Sequence, residues 1–344
     1  MNASFANSPL PAQPFFSTPE QRLALARERF FEQGIRPSGL VGEAVIQSWS
    51  RCLQAHRNPG EAIAFNPVTE SRIHSALGRS RLLRETAAAE LSELETALAG
   101  TTCTVLLTDP NGVVVHVGRP RETPGEVLLP LAARIGVNLG EESVGTNAPG
   151  LTARTGQASV VLGAEHFFGC VQVVHCAAAP IRDVRGQVAG VLDISSESRP
   201  FGFDAAAVVG LFATAIENRL LRAQSVEHIV VHLQTSPALL DTPMEGLAAI
   251  AGDGAIAWAN GAAAKLLGVS SFGSGPGVEA VFALRLAELA ALTREAEPTQ
   301  HRLPSGLKVW LRARLQAPDG AARVVGIGAA DNRRDARLSR SSPP

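Results

Sequence analysis

The chain has 344 residues, of which 45% are hydrophobic and 18% charged, with a formal net charge of −1; at roughly 100–200 residues per domain this describes about two globular domains with real cores. That charge balance gives no global field for nucleic acid or an acidic membrane surface, and no stretch approaches the roughly 18 apolar residues that span a bilayer. Four cysteines, Cys52, Cys103, Cys170 and Cys176, are too few and too scattered for a disulfide scaffold. With no basic n-region or apolar run in MNASFANSPLPAQPFF to suggest a signal peptide, a reducing cytoplasmic setting is expected.

Residues 1–17, rich in Ser, Asn and Pro, read as a disordered leader. Thr18-Pro19-Glu20-Gln21 then supplies an N-cap, a proline at the first helical position and a reciprocal capping residue, starting a helix that should run to about Gly34. A second helix is expected over 40–56, with Val45, Ile46, Trp49, Cys52 and Leu53 on one apolar face. A third, over 79–99, carries Leu83, Ala87, Leu91, Leu94 and Leu98 at helical spacing. The period then changes. Residues 103–108 and 113–117 read as strands about the turn Asp109-Pro110-Asn111-Gly112, and further strands are expected at 158–162, 171–179 and 188–195. The last two join through a hairpin at 182–186. These elements make a mixed α/β (α+β) domain on a central antiparallel sheet.

From 203 to about 234 the chain reads as one long helix. Val209, Phe212, Ile216, Ala223, Val226, Val230 and Leu233 follow three- and four-residue steps, which suits a parallel coiled coil in a homodimer or packing on the helix's own domain. Pro237 should end it. Residues 247–269 read as strand, Gly-Asp-Gly turn, strand and a short helix from about Asn260. A helical piece at 278–292 and strands at 301–303, 308–315 and 323–328 complete a second unit, and 331–344 read as a disordered tail.

Chemistry-bearing motifs are sparse. There is no Gly-Lys dipeptide for a phosphate-cradling loop and no basic helix-turn-helix pattern, so neither ATP hydrolysis nor direct nucleic-acid binding is expected. Gly145-Thr146-Asn147, followed by Pro149 and Gly150, can form a loop entering a short helix, where Thr146 or Asn147 caps it or points toward a ligand. Glu141 and Glu142 precede that loop. Glu165 and His166, beside Phe167 and Phe168, suit a small polar organic ligand in an apolar cavity. His166, Cys170, His175 and Cys176 have metal-like spacing, but adjacent strand residues His175 and Cys176 point to opposite faces; no metal, cofactor or catalytic group is expected. Asp193, in a buried-looking strand, should accept hydrogen bonds from nearby backbone. The candidate ligand-binding set is Glu142, Thr146, Asn147, Glu165, His166, Phe167 and Cys176. An enzyme working through His166, Glu165 and Cys176 is the rival reading.

The stretch from Gly136 to Ser195, with GEESVGTNAPG, GAEHFFGC and HCAAAPIRDVRGQVAGVLDIS, resembles the sensory GAF domain of the acetoin-catabolism type of sigma-54-dependent transcriptional activator. VIQSWSRC resembles the I-x-x-SW-x-R segment ahead of that domain, and LAAIAGDGAIAWANGAAAKLLGV resembles the opening of a PAS domain. The resemblance implies an N-terminal helical segment at 18–77, a GAF-like sensor domain at 78–202, a signalling helix at 203–236 and a PAS-like domain at 237–330. It also implies sensing of a small organic metabolite coupled to transcriptional control. Up to Pro344 the family's ATPase and helix-turn-helix are absent, so output is expected to need an ATPase/DNA-binding activator partner, or the chain to serve as an interaction scaffold for a full-length relative. Leu139 replaces a common aromatic residue, Pro149 an aliphatic one, and 173–175 lacks the family's tryptophan. An acetoin-like ligand therefore does not transfer directly.

Overall fold

The computed structural model describes residues 18–118, 125–197, 199–273, 275–316 and 322–323. The expected leader at 1–17, the tail at 331–344 and the strand residues at 324–328 lie outside them.

The Thr18 hydroxyl accepts from the Gln21 amide at 3.3 Å and opens α1 (Pro19–Arg27), which widens into a π turn over Glu28–Glu32. In α2 (Glu43–Gln54), Val45, Ile46, Trp49 and Cys52 are buried, as their spacing requires, whereas Leu53, expected on the same face, is exposed. Next come α3 (Glu70–Arg79) and α4 (Arg81–Ala97), which meet at Ser80.

The first sheet comprises β1 (Thr104–Thr108), β2 (Val114–Val117), β3 (Ser159–Leu162), β4 (Val174–Arg182) and β5 (Val188–Glu197), in the order β2-β1-β5-β4-β3. All its pairings are antiparallel. Between β2 and β3 lie three short helices, α5 (Leu129–Ala132), α6 (Glu141–Val144) and α7 (Ala148–Thr155). This is the expected α+β, GAF-like arrangement around a central antiparallel sheet.

Strand alternation divides the core into two layers. Leu106, Val174, Cys176, Ala178 and Val191 face one layer, shared with α2, α5, α6 and α7. Val105, Leu107, Ala177, Ala179, Ile181, Leu192 and Ile194 face the other, which α4 and α8 (Ala205–Ala223) cover.

The helix expected from 203 to 234 ends at Ala223. Glu227 takes a left-handed φ of +66°, which a helix cannot continue through. The following run becomes β6 (Ile229–Gln234) because its branched residues suit a pleated, doubly flanked strand. The coiled-coil seam is corrected with it. Val209 and Ile216 are completely buried against their own domain, the alternative that the spacing allowed, so these two side chains are not available to a second subunit, and the partly buried Phe212 packs beside them.

A second sheet contains β6, β7 (Gly246–Ile250), β8 (Ile256–Ala259), β9 (Thr299–Arg302), β10 (Lys308–Gln316) and β11 (Ala322–Arg323). Its order is β11-β10-β6-β7-β8, with β9 also on β10, so β6 lies in the interior. Between β8 and β9 run α9 (Gly261–Leu267), α10 (Val278–Phe282) and α11 (Leu286–Leu292). The single helical piece expected at 278–292 is broken at Ala283, whose φ is +53°.

The two units share a small apolar joint in which Leu221 packs with Val230, Leu247, Ala249 and Trp258. Polar contacts lock it. Trp258 Nε1 donates to Ser225 Oγ at 3.0 Å, and Asn260 Nδ2 donates to Asn218 Oδ1 at 2.9 Å. Phe272 lies so close to Gly186, in the β4–β5 turn, that an added Cβ would sit 2.7 Å from its ring.

Truncating Ile216 to alanine should cost about 2–4 kcal/mol of stability in urea unfolding and leave the oligomeric state measured by sedimentation unchanged. A change of oligomeric state in the folded variant would instead place this side chain between subunits.

Candidate ligand cavity

Two N-terminal segments brace the loops around the first sheet. The Ser-Trp-x-Arg run of α2 is the tighter. Arg51 reaches Glu141 through Nε and Nη2, both at 2.6 Å, in a two-pronged ion pair. Ser48 Oγ donates to Glu141 Oε2 at 2.7 Å. Since a serine hydroxyl has one proton, the 2.7 Å contact between Ser48 and Thr146 has Thr146 as the donor. Trp49 Nε1 donates to the Glu165 carbonyl at 2.8 Å. Arg27 adds bonds of 3.0, 2.8 and 3.1 Å to the carbonyls of Ala164, His166 and Phe167.

Inside this brace, against β1, β4 and β5, is an apolar cavity of about 50 Å³. That is room for roughly three or four waters. Phe65, Leu106, Leu128, Leu129, Leu139 and Val144 form much of its wall. Its polar groups come from Asn147, His166, Cys176, Asp193 and Ser195. Three of these are spent. Asn147 caps α7, with Oδ1 accepting from the Gly150 amide and Nδ2 donating to the carbonyls of Leu139 and Gly145. His166 Nδ1 faces the Gly163 carbonyl at 2.9 Å and is therefore the protonated nitrogen. Nε2 then accepts from the Cys176 thiol at 3.6 Å.

Asp193 differs. Its side chain is completely buried, Oδ2 accepts from Ser195 Oγ at 2.7 Å, and Oδ1 has no partner. The expected backbone donors are absent because β5 runs between β1 and β4, whose ladders use the local amides. Burial pushes this carboxyl up to about 7, against the lowering effect of the Ser195 hydroxyl. Burial pushes His166 down to about 4, so it is neutral at pH 7. Burial, with Asp193 nearby, also drives the Cys176 thiol well above its ordinary range. A thiol held protonated is a poor nucleophile.

Of the residues singled out in the sequence, Asn147, His166 and Cys176 line the cavity. Glu142 does not. It is exposed, because consecutive residues of α6 point about 100° apart and Glu141 takes the inward position. Thr146 is buried in the brace. Glu165 turns its carboxylate back to the Leu162 amide at 2.9 Å. Phe167 packs edge-on against Phe31 and Phe168 in the core. Nor do the metal-spaced four converge: Cys170 is exposed with its thiol directed to the Glu61 carbonyl, while His175 stacks toward Phe201. Asp193, expected as a structural acceptor, and Ser195, not singled out, also line the cavity, and a period-2 reading of Val191, Asp193 and Ser195 places them on one face.

Residues 18–212 match the family model described as MimR, N-terminal domain. The chain belongs to this MimR N-terminal domain family. The acetoin catabolism regulatory protein of Cupriavidus necator is 30% identical over 310 residues, covering 83% of this chain and 46% of that protein. The propane 2-monooxygenase operon transcriptional activator MimR of Mycolicibacterium smegmatis is 28% identical over 242 residues, 66% of this chain and 38% of its own. The chain therefore spans less than half the length of these relatives. Among solved structures, the E. coli DhaR(N)–DhaL complex aligns with a TM-score of 0.48 at 16% identity, covering 78% of this chain and 98% of that one. The MimR-family match takes in α1, α2 and the GAF-like unit together, so the brace and the cavity lie within the shared region.

Two measurements check this site. Replacing Arg51 with methionine leaves the nearly buried Glu141 with Ser48 as its remaining side-chain donor, and should cost about 3 kcal/mol in urea unfolding; adding Glu141→Gln should recover part of the loss. Asp193, with its pKa raised in the folded state, contributes stability that is full below its unfolded value near 3.8 and is lost as pH rises through about 7. His166 works in the opposite sense, so the comparison must be against Asp193→Asn. Wild type should lose stability relative to that variant between pH 4 and 7, and the difference should be flat above.

Proposed function

We propose that this chain is the input portion of a transcriptional activator of the sigma-54-dependent type, and that it senses a small neutral organic metabolite in the GAF-like cavity. One observation carries the reading. The carboxyl of Asp193 stands at the cavity wall, fully buried, with one oxygen lacking a partner. Leaving such a group unsatisfied costs free energy that a ligand hydroxyl or carbonyl restores. A carboxyl poised near neutrality donates to a carbonyl and accepts from an alcohol, and the neutral His166 adds no charge to favour an anion. The family relation supports a regulatory role, since the relatives are named as regulators of operons and catabolism.

The signal leaves through β4 and α8. Cys176 faces the cavity, while its strand neighbours Ala177 and Ala179 face the layer under α8. Displacing β4 by filling the cavity shifts α8, whose far end holds the second, PAS-like unit through Leu221, Asn218 and Ser225. A coupling of about 1–3 kcal/mol is enough to bias an output. That output is an ATPase/DNA-binding activator segment or partner, reached by a homodimer whose contacts lie outside the buried face of α8.

The test is thermal unfolding of the full chain against a panel of short alcohols, diols and ketones. Saturable stabilisation by at least one member is expected, together with its loss in Asp193→Val. Without ligand that variant should lie within about 1–3 kcal/mol of wild type, because it removes one unsatisfied oxygen but also the acceptor of the Ser195 hydroxyl. No shift across the panel, or one that survives in Asp193→Val, rejects the reading.

A further inference from the structure

A second opening lies far from the apolar cavity, where α4 and α8 of the first unit meet β6 and β10 of the second. The cleft there has a volume of about 380 Å³, and Thr86, Arg219, Arg222, His232, Arg314 and Gln316 are among its lining residues. Its volume falls within the usual range for small-ligand sites.

The floor is a buried polar cluster. Glu245, 2% exposed, accepts from His232 Nδ1 at 2.9 Å and from the Asp241 amide at 3.0 Å, and lies 3.8 Å from Arg222 Nη1. Asp241 is paired with Arg312. Each carboxylate thus already has cationic or N–H partners, so a cation entering between them would displace bonds and meet two guanidiniums. Hydrogen bonding from Arg312, with the charges of Arg312 and the exposed Arg314, holds the Asp241 carboxyl below its ordinary value.

The unfilled position is His232 Nε2. The ring is 2% exposed, and this nitrogen has no partner. Nδ1 is turned to a carboxylate and therefore carries a proton, and in that tautomer Nε2 is the acceptor of the ring. The cleft thus combines the guanidiniums of Arg219, Arg222 and Arg314 with the buried His232 acceptor, beside the carboxylates of Asp241, which Arg312 pairs, and Glu85.

We infer that this cleft binds a small oxyanion that also carries a hydroxyl, either a phosphate or a hydroxy-carboxylate. Arg222 and Arg314 take the charged oxygens, while the hydroxyl donates to His232 Nε2. Because the lining comes from both units, the bound anion stabilises their closed arrangement. The inference is independent of the ligand proposed for the apolar cavity.

The experiment is calorimetric titration of the full chain with inorganic phosphate, lactate and sulfate at matched ionic strength. Sulfate carries the charge without the hydroxyl near neutral pH and also controls for general salt stabilisation. Saturable binding of phosphate or lactate, with sulfate at least about tenfold weaker, is expected; whichever of the two binds tells a phosphate ligand from a hydroxy acid. Arg314→Ala, at an exposed position that leaves the fold intact, should weaken binding about tenfold, as loss of one charge-assisted bond does. In ¹⁵N-histidine spectra, the Nε2 resonance of His232 should move with the same saturation curve. Sulfate binding as well as phosphate, unchanged affinity in Arg314→Ala, or saturation by zinc with no response to either hydroxyl-bearing anion overturns the inference.

Discussion

The ion pair between Arg51 and Glu141 holds together two parts of the chain that secondary structure alone would leave separate. Glu141 opens α6, and the loop after it carries Thr146 and Asn147 into α7. That loop is one wall of the cavity, and its position is set by three side chains of α2: Arg51 and Ser48 on the Glu141 carboxylate, and Trp49 on the Glu165 carbonyl across the opening. A carboxylate 8% exposed is costly to bury alone and strongly oriented once a guanidinium meets it on two prongs. The helix outside the GAF-like unit therefore holds one wall of the cavity in place from behind.

The sheet imposes the second constraint. Because side chains alternate, one strand serves both the cavity and the layer under α8. In β5 the cavity side carries Asp193 and Ser195, whereas Leu192 and Ile194 fill the opposite layer. Small residues in β4, Ala177 and Ala179, let α8 lie close to the sheet. A strand with a polar group on one side and a tightly packed helix on the other transmits displacement with little intervening material to absorb it.

Much of this architecture was legible in the sequence, and the reasons for the misses are local. The Thr18 cap, the apolar face of α2 and the strands on either side of Asp109-Pro110-Asn111-Gly112 follow from short-range chemistry, and each appears near its expected place. The long helix failed at Glu227, where tertiary packing supports a left-handed residue that a three-four pattern does not register. In the site, the motif residues drew attention while the strand residues did not. Glu142 and Glu141 are adjacent acids that only helix phase separates. Asp193 looked structural because its burial was visible, but its missing partner was not. Phe167 lies in the right loop, with its ring turned into the core.

The placement of β6 bears on how such chains can be recombined. This strand follows α8 after a short turn and lies between β7 and β10 in the second sheet. A gene divided after α8 would keep a continuous first unit and give the second its middle strand. One divided just before Pro237 would leave β7 and β10 facing each other across a strand-wide gap, with unpaired edges on both sides. Exchange of sensory modules by shuffling should therefore leave its joints between Ala223 and Ile229, within a handful of residues, and the boundary that the sequence suggested at Pro237 is closed to it.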